Sequence, residues 1–172
     1  MHSFKRTHYS RDITAQSLTQ VVVLCGWVHR RRDHGGVIFI DLRDRTGLVQ
    51  LVFGDNLERN LFDLAQSLRS EYVIAVHAII KERSAQTINR ELATGSYEGH
   101  VTSFVILNKA KGLPFAIEDA AVVDEELRLT YRYLDLRRKE MHEKLAMRSR
   151  VIHAMREFLH KQEFYEIETP IL

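Results

Sequence analysis

The sequence predicts a mainly β fold: a five-stranded Greek-key barrel with one helix between strands three and four, followed by a hinge and a long C-terminal helix. Three observations predict it. Residues 26–53 contain three β-type runs, separated by turn signals at 34–36 (His-Gly-Gly) and 45–47 (Arg-Thr-Gly). An amphipathic helical pattern then covers residues 57–69. Two further apolar β-type runs follow before the composition changes near residue 110.

Length and composition exclude several classes of protein. The chain has 172 residues, enough for one good core and a second partial unit, and its net charge of +2 is only mildly basic. The single cysteine, Cys25, excludes an internal disulfide and a cysteine-cluster zinc site, and no metal ligand is predicted. No apolar run approaches the roughly 20 residues of a membrane span, and the first residues lack a signal-peptide apolar region. We therefore expect a cytoplasmic protein without membrane contact.

The first strand should run from Val21 to Arg31, and Gly26 in its middle suggests a bulge or a sharp coil where the barrel closes. Side chains alternate across a strand, so strands two and three each have two faces. One face carries Phe39 and Gln50, an aromatic and an amide on the polar side of their strands. The opposite, apolar face contains residues 38, 40, 42, 49, 51 and 53.

The remaining elements complete a known strand order. Asp55 and Glu58 are spaced as a capping box at the start of the helix. Strand, strand, strand, helix, strand, strand is the order of the OB-fold, whose binding face is formed by strands two and three. The other predictions are a loosely held lead-in over residues 1–12, a short helical turn within 12–20, a fourth strand over 71–83, a loop over 84–95 and a fifth strand over 96–107.

The polar face of strands two and three indicates a nucleic-acid site. Phe39 offers a flat ring on which a base can stack, and Gln50 offers both a donor and an acceptor for base edges. Arg30, Arg31 and Arg32 lead out of the first strand, and Arg30 and Arg31 are expected to attract RNA through charge. Such a surface is typical of proteins that bind single-stranded nucleic acid.

The character of the chain changes after Lys109. Residues 111–115 (Lys-Gly-Leu-Pro-Phe) form a turn-rich connector, and a long helix should run over residues 138–162 into a short strand over 164–172. We therefore divide the chain into a barrel over residues 1–109, a hinge over 110–137 and the start of a further domain over 138–172.

Several motifs together resemble one family. The segments 26–28 (Gly-Trp-Val), 39–44 (Phe-Ile-Asp-Leu-Arg-Asp) and 47–50 (Gly-Leu-Val-Gln) resemble the anticodon-binding domain of bacterial aspartyl-tRNA synthetases. Residues 131–138 (Tyr-Arg-Tyr-Leu-Asp-Leu-Arg-Arg) resemble the hinge that follows it, and residues 164–172 resemble the end of motif 1 of class II synthetases. The resemblance covers nearly the whole chain from about residue 12.

The resemblance implies that the barrel binds the anticodon loop of a tRNA. Phe39 is then the stacking residue, Gln50 reads a base edge, and the planar guanidinium groups of Arg32 and Arg83 clamp phosphates or base edges. Lys81 stands where relatives often have arginine, which weakens a bidentate contact there. The full set of expected RNA-binding residues is Arg32, His34, Phe39, Gln50, Lys81, Arg83 and Glu98.

His34 suggests a hypothesis about which tRNAs the parent enzyme accepts. Enzymes of this family that charge only aspartate tRNA tend to carry leucine at the position of His34, whereas those that charge aspartate and asparagine tRNAs resemble this sequence. The two anticodons differ only at their third base. We therefore expect a relaxed, dual-specificity parent enzyme; the alternative is a plain exposed loop histidine.

The resemblance also implies what the parent protein does. An aspartate–tRNA ligase activates aspartate with ATP and Mg²⁺ and esterifies the tRNA. Motifs 2 and 3 do not occur before Leu172, so this chain is expected to be the N-terminal portion of a synthetase, without catalytic residues, cofactor or activity of its own. Motif 1 is expected to form a homodimer through the apolar stripe Met141, Leu145, Ile152, Met155 and Leu159, together with Pro170.

Two alternatives remain open. The barrel could be the equivalent domain of a lysyl- or asparaginyl-tRNA synthetase, which share it. It could also be a free-standing OB-fold binder of single-stranded nucleic acid with no enzymatic parent. The hinge and motif 1 would have no role in the second alternative.

Overall fold

The computed structural model describes residues 4–54, 57–118 and 122–170. Contacts divide the chain into two compact units, Met1–Lys111 and Gly112–Leu172. Five strands and one α-helix build the described part of the first unit. They are β1 (Val21–His34), β2 (Val37–Asp44), β3 (Gly47–Phe53), α1 (Arg59–Gln66), β4 (Val73–Glu82) and β5 (Tyr97–Asn108).

The five strands close into a barrel in the order β1-β2-β3-β5-β4. β1 pairs antiparallel with β2 on one side and β4 on the other. The β3–β5 pair is parallel, and its residues 50–52 lie opposite residues 98–100. The predicted OB-fold barrel, with its helix between β3 and β4, is confirmed.

Strict alternation places the core inside the barrel. Along β2, residues 38, 40, 42 and 44 are buried, while residues 37, 39, 41 and 43 are partly exposed. Each fully buried Leu, Ile or Phe side chain contributes about 1.5–3 kcal/mol from apolar burial alone. Phe53 and Phe104 meet edge to face with ring centroids 5.3 Å apart. The apolar face predicted for strands two and three is therefore the core.

Gly26 does not lie at the predicted bulge. It lies where the backbones of β1 and β2 approach each other closely. A Cβ there would collide with the carbonyl oxygen of Arg43 on β2. The bulge lies between Val28 and Arg30 instead. Glycine is required because no side chain fits between the strands, not because the strand bends.

The hairpin between β1 and β2 has the geometry that its two glycines permit. Gly35 and Gly36 have φ angles of 58° and 84°, in the left-handed region. A two-residue turn of this kind matches the twist of the flanking strands and favours glycine. It brings His34 directly opposite Val37 at the tip of the hairpin.

The lead-in is more ordered than predicted. The backbone N–H of Thr7 donates to the carbonyl of Val23 at 3.0 Å. Ser10 is buried and donates to the Asp44 carboxylate through its backbone N–H (2.6 Å) and its hydroxyl (2.9 Å). Residues 4–12 are therefore held against the barrel by polar contacts that no local pattern signals.

The helix α1 is shorter than the predicted 57–69, because Leu57 and Leu68 pack into the core outside its regular turns. Glu58 is its N-cap but makes no side-chain capping bond. The predicted capping partner, Asp55, lies outside the described residues.

The second unit contains the helices α2 (Glu125–Thr130), α3 (Arg132–Asp135) and α4 (Lys139–Lys161). Its small core includes Phe115 and Leu134. Asp135 is fully buried and accepts charge-assisted bonds from Arg132 and Arg138, the latter at 2.8 Å. These contacts stabilise the turn between α3 and α4.

The long helix α4 has no buried residue. It ends at Lys161. Glu163, two residues later, adopts a φ of 65°, and the Phe164 N–H then donates to the Leu159 carbonyl at 3.1 Å. Contrary to the prediction, residues 164–170 form no strand. A strand requires a neighbour for its backbone groups, and no described strand pairs with this segment. Ile171 and Leu172 lie outside the described residues. None of the helices within the described ranges has the length and apolar character needed to cross a membrane.

Candidate nucleic-acid interface

Strand register gathers five of the seven predicted site residues on one outer surface of the barrel, which we call the recognition face. It consists of two adjacent rows across the strands. Paired residues of neighbouring strands project to the same side of a sheet, so each row forms a line of side chains. The rows are Arg32–Phe39–Val52–His100 and Arg30–Asp41–Gln50–Glu98–Lys81.

Phe39 points outward. Its neighbours in sequence, Ile38 and Ile40, are fully buried on the core side, and Phe39 itself is partly exposed. Since successive side chains of a strand face opposite ways, the ring lies on the recognition face between Arg32 and Val52. Phe39 is therefore not a residue of the barrel core.

Gln50 is 4% exposed and is held from both ends. The Arg32 Nη2 donates to its Oε1 at 3.3 Å, and its own Nε2 donates to Glu98 Oε2 at 3.0 Å. A guanidinium only donates and a carboxylate only accepts, so the amide can face only one way. One N–H and one oxygen lone pair of Gln50 remain for a ligand.

Arg32 is shared between two acceptors. Besides Gln50, its Nη2 donates to Asp41 Oδ1 at 2.8 Å. The Arg32 side chain remains 44% exposed, whereas that of Asp41 is 13% exposed. Arg32 is therefore anchored at its tip and still open to solvent along part of its length.

Arg83 directly follows β4 and approaches the recognition face at Glu98. Its side chain is only 10% exposed, and its closest approach to an acid is 3.8 Å, from Nε to Glu98 Oε2. Its Nε and Nη1 atoms are buried without a hydrogen-bond partner. Buried donors normally have hydrogen-bond partners, so these two atoms are exceptions among the buried polar groups of the described residues.

The two other predicted residues are more exposed. Lys81 lies opposite Glu98 in the β4–β5 register, and His34 is exposed at the tip of the β1–β2 hairpin. His34 is two residues from Arg32 on the same strand, so it lies roughly 7 Å further along the recognition face. Arg31 pairs with Asp33 at 3.0 Å, which reduces its part in general attraction to RNA.

Two residues of the recognition face received no role from the sequence. Asp41 holds Arg32, and His100 bonds Glu98 Oε1 through Nε2 at 2.9 Å. The alternation of polar residues along their strands was visible, but the partner of each residue depends on the register between strands.

The expected motif 1 residues lie in the second unit. Leu145, Ile152, Met155 and Leu159 are exposed along α4, and Met141 is partly buried. Pro170 is exposed after the helix. The described residues contain no group of three or more His, Cys, Asp or Glu arranged to hold a metal ion.

Two protein families match this chain. The family described as OB-fold nucleic acid binding domain matches residues 22–107. Class II tRNA synthetases (D, K and N) match residues 124–172.

Similar proteins cover nearly all of the chain. It is 51% identical over 168 residues to an aspartate–tRNA(Asp/Asn) ligase of Syntrophomonas wolfei subsp. wolfei, covering 98% of this chain and 29% of that protein. It is 47% identical over 167 residues to an aspartate–tRNA ligase of Halalkalibacterium halodurans, covering 97% of this chain and 28% of the relative. The chain thus spans less than a third of the length of these relatives.

The solved structure of asparaginyl-tRNA synthetase from Pyrococcus horikoshii, complexed with asparaginyl-adenylate, is similar with a TM-score of 0.81 at 27% identity. The match covers 97% of this chain and 37% of that one. The resemblance to aspartyl-tRNA synthetases is therefore confirmed in sequence, and that to tRNA synthetases in fold. With its barrel closed and its polar side chains aligned on β2 and β3, this chain belongs to the family of OB-fold nucleic acid binding domains.

Proposed function

We propose that this chain recognises the anticodon loop of a tRNA as the N-terminal part of an aspartate–tRNA ligase. One observation carries the proposal: an outward aromatic ring and an amide of fixed orientation share one face of the barrel, and an arginine with unpartnered donors approaches that face at Glu98. Unpaired bases stack on aromatic rings and expose edges that hydrogen-bonding side chains can read.

Each group has a distinct part in this recognition. Phe39 stacks on one base, an interaction worth about 1–3 kcal/mol. The remaining N–H and lone pair of Gln50 pair with the edge of a base, and burial of the amide makes a mismatched edge costly. Arg83 donates to a base or phosphate oxygen, and Lys81 and Arg30 contribute charge at the rim.

The ligase reaction belongs to the parent protein. When bound to the parent protein, ATP and Mg²⁺ activate aspartate before its transfer to tRNA. The described residues offer no acidic or histidine cluster that fits a metal ion. The part of this chain is therefore to bind and orient the anticodon, and we expect no aminoacylation by the chain alone. As part of the translation machinery, the parent would act in the cytoplasm.

We propose that the parent accepts both aspartate and asparagine tRNAs. Some similar proteins are named as ligases for both tRNAs and others as ligases for aspartate tRNA. His34 is exposed beside the recognition face and has room to approach a base at its edge. Specificity is a difference between two affinities, so one side chain at this edge can reduce it.

The proposed dimer rests on α4. This helix of 23 residues exposes Leu145, Met155 and Leu159 and buries none of its residues. A stripe of this kind is stabilised when a second copy covers it. Sedimentation at micromolar concentration should show self-association; a strict monomer that keeps α4 folded would contradict the proposal.

The experiment that tests anticodon recognition compares two RNAs. The chain should bind an anticodon stem-loop carrying GUC well above poly-U, and Phe39→Ala or Gln50→Ala should each weaken it about 5- to 150-fold. Leu107→Ala is a matched control, since it removes an exposed apolar side chain at the far end of β5.

A free-standing binder of single strands would give a different result. It would prefer long unstructured RNA, and the substitutions Phe39→Ala and Gln50→Ala would lower its affinity for all RNA sequences equally. The match of residues 124–172 to class II synthetases does not favour that alternative.

A further inference from the structure

We propose that His100 is a positioning residue for anticodon recognition: by holding one oxygen of Glu98, it sets the orientation of the Gln50 amide. The inference rests on the proposed function, because it assigns a role within the same recognition face.

The Glu98 carboxylate connects three groups. Its Oε1 bonds His100 Nε2 at 2.9 Å, and its Oε2 accepts from Gln50 Nε2 at 3.0 Å. Arg83 Nε lies 3.8 Å from the same Oε2. The Glu98 side chain is 18% exposed, so protein groups rather than water decide its rotamer.

The tautomer of His100 follows from its partner. An ionised carboxylate only accepts hydrogen bonds, so Nε2 must carry a hydrogen. This bond prevents the carboxylate from rotating toward Lys81, which lies directly opposite Glu98 on β4, or toward Arg83. Either rotation would remove the acceptor from Gln50 Nε2 and free the amide to turn over.

An inverted Gln50 amide would present the wrong groups. Its oxygen would face Glu98 and its NH₂ would face Arg32, and both contacts are repulsive. Base discrimination through Gln50 therefore depends on a chain of contacts from His100 through Glu98. A hydrogen bond to a charged group is worth enough to change a binding ratio about tenfold.

The strand register defines which residues surround His100. β3 contributes Val52 and Gln50, neither of which titrates, and β4 contributes Ile79 directly opposite and Lys81 one row away. The closest other histidine on β4, His77, packs its ring on Phe4 at 4.7 Å.

The charged groups that act on His100 are therefore few. They are Glu98, Lys81, Arg83 and, through Gln50, Arg32 with Asp41.

The test measures discrimination rather than affinity alone. Wild type, His100→Leu and His100→Gln are titrated with the GUC stem-loop and with stem-loops changed at each anticodon position. His100→Leu should reduce discrimination at one position about five- to tenfold. His100→Gln, which still donates an N–H at similar reach, should retain it within about twofold.

A second measurement is spectroscopic. In the ¹H–¹⁵N spectrum of the free chain, the Gln50 side-chain amide signal should move in His100→Leu and stay close to its wild-type position in His100→Gln. Unchanged discrimination in folded His100→Leu, or a Gln50 signal that ignores His100, would overturn the inference. If wild type shows no preference for GUC over poly-U, the proposed function fails, while the spectrum still decides whether His100 controls Gln50.

Discussion

Replacing Arg83 by methionine should move stability and RNA affinity in opposite directions. In the free protein the Arg83 Nε and Nη1 are buried without partners. Each unsatisfied donor costs about 1–3 kcal/mol, and the 3.8 Å ion pair with Glu98 offsets part of that cost. Methionine is apolar and of similar length, so Arg83→Met should raise the free energy of unfolding by about 1–2 kcal/mol.

The same substitution should weaken RNA binding. The two donors are available to a base or phosphate oxygen, and hydrogen bonds from a charged donor are worth about 1.5–3 kcal/mol. The dissociation constant for the GUC stem-loop should therefore rise about ten- to 150-fold. Thermal unfolding and fluorescence anisotropy measure the two effects, and a gain of 1 kcal/mol corresponds to about 4–8 °C in Tm for a domain of this size.

Arg43→Met is the matched control. Arg43 Nη2 donates to both oxygens of Glu71 at 2.7 Å, and the Glu71 side chain is 6% exposed. Removing Arg43 leaves a buried carboxylate without this partner, which costs about 3–5 kcal/mol. The control should therefore lower Tm without changing RNA affinity in the folded protein. If Arg83→Met lowers Tm in the same way and leaves RNA binding unchanged, Arg83 is a structural arginine and the reasoning is refuted.

Two further predictions concern the edge of the recognition face and the lead-in. His34→Leu should shift the ratio of affinities for aspartate and asparagine anticodon stem-loops toward aspartate, and an unchanged ratio in parallel titrations would reject the specificity hypothesis. For Asp44, burial raises the pKa of the carboxyl, but hydrogen bonds from Thr46 and Ser10 outweigh it and the pKa is lowered. The contribution of the Asp44 carboxylate to the free energy of unfolding should be present above about pH 4 and lost as the pH falls through the pKa of the folded state. Asp44→Asn should thus be less stable at pH 7 by about 1–3 kcal/mol, with the difference shrinking toward pH 3 in urea titrations; an equal gap at both pH values would exclude this linkage.

Local patterns were sufficient for most of the barrel. Alternation of apolar residues in β2 and β3 predicted which side chains enter the core, and the glycines at 35 and 36 predicted the hairpin. The motifs also indicated the family, and the outward position of Phe39 followed from its neighbours. These features depend on residues that are close in sequence.

The errors arose where the answer lies far away in sequence. Gly26 was interpreted as a bulge, but it is required by the Arg43 carbonyl on another strand. The lead-in was expected to be loose, but Ser10 binds Asp44, 34 residues away. Residues 164–170 have strand-like composition, but no neighbouring strand pairs with them.

The sequence by itself determined the strand order, the core face and the chemical types present on the recognition face, because side-chain alternation is a local property of an extended backbone. Only the tertiary structure decided how those groups are connected. Gln50 and Glu98 are 48 residues apart and meet through the parallel pairing of β3 and β5. Closure of the barrel sets that register, and the register decides which donor faces which acceptor.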